Sequence, residues 1–70
     1  MKYENDPEYA LAESWASIDG KLDDFIKGRD AGSFEEEIEK YGGYYSGYMV
    51  EAGEMIKRLE ERGFTIVQDK

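Results

Sequence analysis

YGGYYSGYM, residues 41–49, places four tyrosines and three glycines in nine positions of a chain whose remaining pattern is helical. How this stretch is read decides the fold. Two adjacent glycines would cost a continuous helix about 2 kcal/mol relative to alanine, so Gly42-Gly43 is read as a break between a helix over about 34–41 and another over about 44–62. The apolar spacing nonetheless keeps one phase across the pair: Phe34, Ile38, Tyr41, Tyr45, Tyr48, Ala52, Met55 and Leu59 alternate steps of four and three. That stripe assigns Tyr41, Tyr45 and Tyr48 to the core and leaves Tyr44 off it, free to meet a partner. The glycines would also admit a close approach of an antiparallel first helix and its Trp15.

Working outward, Ser33-Phe34-Glu35-Glu36 reads as a capping box, with the serine accepting from the third helical N–H and Glu36 reaching back. Upstream, Asp6-Pro7-Glu8 has the form of a helix start: an N-cap acceptor, a proline at N1 and an acid at the positive end of the dipole. Leu11, Trp15, Ile18, Leu22 and Phe25 then define one stripe, which predicts a first helix over about 7–27, with Gly20 weakening it rather than ending it. GRDAG, residues 28–32, is the expected stop and loop. Downstream, Lys57, Arg58 and Arg62 precede Gly63 as a helix end, with Glu54 and Arg58 spaced as a surface pair. Phe64 to Gln68 reads as extended. It packs as a tail over the bundle, pairs with Lys2-Tyr3-Glu4, or joins a strand of another chain; the tail is the preferred reading. The expected fold is thus one domain over 1–70, all-α, a three-helix bundle with a short extended or β-like C-terminal segment.

Seventy residues lie near the lower limit for a self-sufficient core, since a domain of this size hides only about 60% of the surface its unfolded chain exposes. Cysteine and histidine are both absent, which removes disulfide staples and the usual zinc ligand sets. No long apolar run predicts a membrane span, and MKYENDPEY lacks the form of a signal peptide. The expectation is a soluble, cytoplasmic protein, monomeric or homodimeric.

Chemistry-bearing patterns are sparse. Asp19, Asp23, Asp24 and Glu35 to Glu39 offer paired carboxylates, but acid–base work needs such groups in a cleft that shifts their pKa, and a small bundle has little cleft. Serine, tyrosine and lysine stand in no nucleophile–base arrangement. The acids do not match the spacing of a calcium loop. No enzyme, cofactor or metal is expected. A helix-turn-helix reader would need basic and amide side chains on its last helix, and that helix is neutral, so direct nucleic-acid binding is rejected.

What stands out is where the charge lies. Residues 1–39 hold 12 acids and 4 bases, whereas residues 40–70 hold 5 of each, so the whole net charge of -8 belongs to the first half. A charge of this size is ordinary for solubility. Its confinement to one half is not explained by solubility, and a one-sided field steers a basic partner to a defined face. The candidate partner-binding residues are therefore Glu13, Asp19, Asp23, Asp24, Asp30, Glu35, Glu36, Glu37 and Glu39, with Tyr44. Carboxylates on neighbouring helix turns are roughly 5–6 Å apart, comparable with phosphates along a strand.

In size, acidity, lack of histidine and cysteine, compact helical pattern and tyrosine-rich segment, the chain resembles small acidic phage-encoded inhibitors of the anti-CRISPR and DNA-mimic class. The resemblance covers the character of the whole chain and carries no motif from which site residues transfer. It implies a role: a non-catalytic inhibitor that occupies a basic nucleic-acid-binding surface, with a CRISPR surveillance complex in the host cytoplasm as target. The alternative is a helical assembly module completed by a second copy or another subunit.

Overall fold

The structure, a computed structural model, describes residues 6–65 of the chain. Four helices follow one another: α1 (Pro7–Ile18), α2 (Leu22–Arg29), α3 (Phe34–Tyr41) and α4 (Tyr44–Glu61). The chain is helical as expected, with four helices where three were predicted and no strand among the described residues. Phe64 and Thr65 are exposed and lie outside any helix; the rest of the expected extended segment, and its possible pairing with Lys2 to Glu4, fall outside the described residues.

The fourth helix arises at Gly20. The expected helix over 7–27 ends at Ile18, because Gly20 takes a left-handed φ of 74°. The Gly20 N–H donates to the Ser17 carbonyl at 3.1 Å and the Lys21 N–H to the Ala16 carbonyl at 2.7 Å. This is the Schellman closure, which satisfies two terminal carbonyls and turns the chain. The predicted stripe consequently does not continue: Ile18 is 79% exposed, while Phe25, beyond the turn, is fully buried. Within α1 the buried line is Tyr9, Ala12 and Ala16, with Leu11 and Trp15 half-buried beside it. The stripe had been drawn through the large apolar residues, but α1 meets α4 over small ones. Ala12, Ala16 and Ala52 of α4 are all completely buried in one cluster, and small side chains let helix axes approach closely.

At the other turn, Gly42 and Gly43 both have left-handed φ, 73° and 71°. A side chain there would be strained by 1–3 kcal/mol per residue. It would also collide: a Cβ on Gly42 would lie 2.9 Å from the Tyr44 ring, and one on Gly43 2.8 Å from Ile38 Cδ1. This double turn redirects the chain, so the stripe cannot be carried from α3 into α4. Phe34 is 68% exposed and Ile38 and Met55 are exposed as well, contrary to the expected inward line, whereas Tyr45, Tyr48 and Ala52 keep to it. Tyr41 and Leu59 are half-buried.

The N-caps follow the sequence. Asp6 accepts from the Glu8 N–H at 3.0 Å, and the Ser33 hydroxyl accepts from the Glu36 N–H at 3.1 Å, the serine half of the expected capping box.

The core has one hub. Phe25 is its only large fully buried side chain among the described residues, with Tyr9, Tyr45 and Tyr48 rings at 5.6, 5.2 and 6.4 Å between centroids. Tilted and edge-on aromatic pairs in this range add to simple burial. α4 is the long element against which α1 and α2 pack, and α3 packs chiefly on α2. Gly28 sets the distance between α2 and its neighbours: a Cβ there would meet Glu37 Cγ at 3.0 Å and Tyr45 Cβ at 3.1 Å.

Candidate functional site

The ten residues assigned to a partner face divide by what their side chains already do. Glu37 is buried, with 4% exposure. Its carboxylate accepts from the Ser46 N–H and the Ser46 hydroxyl, both at 2.8 Å. Ser46 lies in the first turn of α4, whose N-cap, Gly43, has no side chain. Glu37 supplies the missing acceptor from a neighbouring helix, at the end where a negative charge suits the dipole. It is therefore not part of an exposed acidic surface.

Three more acids are engaged at the surface. Glu13 accepts from the Tyr9 hydroxyl at 2.8 Å, and that hydroxyl in turn accepts from Arg29 Nη1 at 2.7 Å. Arg29 also forks onto its neighbour Asp30, with N–O distances of 2.9 and 3.0 Å. The guanidinium holds the Asp30 carboxyl below its ordinary range, and the hydrogen bonds from Arg29 to Asp30 and Tyr9 push the Arg29 pKa up. Burial, then the Glu13 carboxylate, raises the Tyr9 phenol. The Tyr48 hydroxyl donates to Asp19 Oδ2 at 2.6 Å.

The remaining five, Asp23, Asp24, Glu35, Glu36 and Glu39, have no side-chain hydrogen bond or ion pair among the described residues. Asp23 and Asp24 open α2, and Glu35 and Glu36 open α3, with Glu39 one turn on. All five belong to the α2–α3 helix pair, whose members pack against each other. Asp23, Glu35 and Glu39 are exposed and Asp24 and Glu36 half-buried.

Tyr44 is half-buried and belongs to a separate feature. Its ring stacks on Tyr48, with centroids 6.3 Å apart and planes 24° from parallel. Lys21 Nζ lies 5.1 Å from its centroid, within range of a cation–π contact. An open groove of about 280 Å³ is lined by Asp19, Gly43, Tyr44, Gly47, Tyr48 and Glu51. Sequence reasoning did not join these residues. The i, i+4 spacing of Tyr44 and Tyr48 was a usable signal for their stacking, but the approach of Asp19 and Lys21 depends on the Gly20 turn.

Among the described residues no group of three or more carboxylates is placed to hold a metal ion, and no helix is long and apolar enough to cross a membrane. No protein-family model, curated protein or solved structure matches this chain.

Proposed function

We propose that this chain acts without catalysis, by presenting the acidic α2–α3 helix pair to a basic surface of a nucleic-acid-binding protein and so excluding the nucleic acid. The observation that carries this reading is the set of five carboxylates, Asp23, Asp24, Glu35, Glu36 and Glu39, that have no side-chain partner among the described residues. A net charge of -8 confined to residues 1–39 gives the pair a long-range field that favours encounter with a basic groove. The class that the sequence resembles names a CRISPR surveillance complex as the first partner to assay.

The test is competition. The wild-type chain and DNA should exclude each other from the partner. Reversal of Asp23 and Asp24 to lysine, or of Glu35 and Glu39 to lysine, should slow association and leave the helical spectrum intact, because outer charges govern encounter more than retention. Glu60→Lys with Glu61→Lys controls for total charge. Equal loss from both sets, or simultaneous binding of DNA and protein, sinks the reading.

A second reading has its own observation. Trp15, Val50 and Met55 line a shallow groove of about 310 Å³ with Glu51, Glu54 and Arg58 at its rim, and Val50 is 66% exposed. An assembly module would bury this face. Light scattering across a concentration series separates the two, since only the module gains mass, and does so with little dependence on salt.

A further inference from the structure

Gly47 stands in the interior of α4, where glycine costs a helix about 1 kcal/mol relative to alanine. Of the other glycines between residues 28 and 53, Gly28, Gly42 and Gly43 have contacts or conformations that account for them, whereas Gly32 in the loop before α3 and Gly53 do not. Gly28 lies tight against Glu37 and Tyr45, and Gly42 and Gly43 have left-handed backbones, while a Cβ on Gly53 would make only ordinary contact with Glu8. Around a Cβ built on Gly47 there is nothing within 4 Å. Packing and backbone geometry therefore do not require a glycine here. Gly47 lines the open groove together with Gly43, and a side chain there would extend into open space.

The chemistry of the walls identifies what fits. On one side are the stacked rings of Tyr44 and Tyr48, and Tyr44 already attracts the Lys21 ammonium. On the others are the carboxylates of Asp19 and Glu51. Tyr48 is pushed up to about 12, first by its hydrogen bond to Asp19, then by burial and by repulsion from Asp19, Glu51 and Tyr44. The positive end of α4 does not oppose this, because Glu37 answers it from inside the fold.

We propose that this groove receives an arginine side chain of the basic partner, its planar guanidinium lying on the tyrosine rings and its N–H groups facing Glu51 and Asp19. Arginine suits the walls better than lysine, since a delocalised plane both stacks on an aromatic face and forks onto a carboxylate. The inference rests on the reading above that the partner is basic. It adds a defined pocket to an otherwise diffuse attraction, lined by residues other than the five bare acids of α2 and α3.

The test uses the chain alone. Acetyl-Gly-Arg-Gly-amide, and the same peptide with citrulline or lysine in place of arginine, are titrated at an ionic strength of about 0.15 M, where the Debye length is about 8 Å. The ring resonances of Tyr44 and Tyr48 are followed by NMR. The arginine peptide should give a saturable shift of both rings, the lysine peptide a weaker one and the citrulline peptide none. Tyr44→Leu should weaken binding roughly two- to fivefold, the range of an exposed cation–π contact. Gly47→Leu should abolish the saturable shift while raising the melting temperature by roughly 3–6 °C, since helix propensity improves and no neighbour is displaced. Equal binding of citrulline or lysine, or undiminished arginine binding by Gly47→Leu, overturns the assignment. The Asp23→Lys, Asp24→Lys double variant should still bind the peptide. If the peptide fails to bind while those reversals still slow association of the chain with the partner, the groove is wrong and the functional reading stands; if the peptide binds and the reversals leave partner association unchanged, the functional reading falls and the groove is kept.

Discussion

The tyrosine hub and the α2–α3 pair treat negative charge in opposite ways. Around the hub, four of the candidate carboxylates have a donor: Glu13 has Tyr9, Asp19 has Tyr48, Asp30 has Arg29, and Glu37 has Ser46. On the α2–α3 pair, Asp23, Asp24, Glu35, Glu36 and Glu39 have none among the described residues. All nine looked equivalent as acids on amphipathic helices. The difference teaches that a formal charge of -8 is no measure of the charge offered to a partner, because part of it is spent in holding the helices together.

The largest effect should come from the hub itself. Phe25→Ala removes the one large, fully buried side chain among the described residues and should cost about 3–5 kcal/mol, enough to unfold a domain of marginal stability; urea denaturation measures it. Tyr9→Phe is a smaller probe. It keeps the ring beside Phe25 but removes the hydroxyl between Arg29 and Glu13, and should cost about 0.5–1.5 kcal/mol. A neutral outcome would mean that Glu13 belongs with the bare acids.

Asp19 is tested by pH. The Tyr48 phenol is held at about 12, above its ordinary 10.0, chiefly by the hydrogen bond to Asp19. The neutral phenol is the form that the fold favours. Its contribution to stability is therefore fully present below pH 10 and is lost as pH rises through about 12. Absorbance titration of the tyrosines should show a late component that disappears in Tyr48→Phe and moves down toward 10 in Asp19→Asn. An unchanged titration in Asp19→Asn would detach Asp19 from the hub.

The smallest effects belong to the α2–α3 acids. Asp23→Asn with Glu35→Gln should shift stability by no more than about 0.5 kcal/mol, as for surface positions without partners. Moderate NaCl should raise the melting temperature slightly, because salt screens the repulsion among exposed carboxylates. A falling melting temperature would show instead that the bare acids are stabilised by attractions that salt also screens.

Much of this division could be read in the sequence, and some could not. Asp6 and Ser33 announced their helix starts because capping is local, and the Gly42-Gly43 break was legible because two adjacent glycines are hard to keep in one helix. Gly20 was misjudged. A lone glycine in a helical pattern is tolerated as often as it terminates, and here the decision lies with Lys21, whose N–H closes the turn onto Ala16. The α1 core line was missed because its close contacts are made by Ala12 and Ala16, not by Ile18. The fates of the acids were least legible. Arg29 reaches Tyr9 across 20 positions and Tyr48 reaches Asp19 across 29, and no spacing rule links residues that meet only after the helices have packed.

Glu36 and Glu37 put the comparison within one peptide bond. The first has no partner for its side chain, and the second is buried against the start of α4. Chemical denaturation of Glu36→Gln and Glu37→Gln, two changes of identical composition and charge, tests the account most directly. Glu37→Gln should lose about 1–2 kcal/mol, the size of a charged cap interaction, and Glu36→Gln should stay within about 0.5 kcal/mol of the parent. Equal losses in the two variants, or a larger loss in Glu36→Gln, would contradict it.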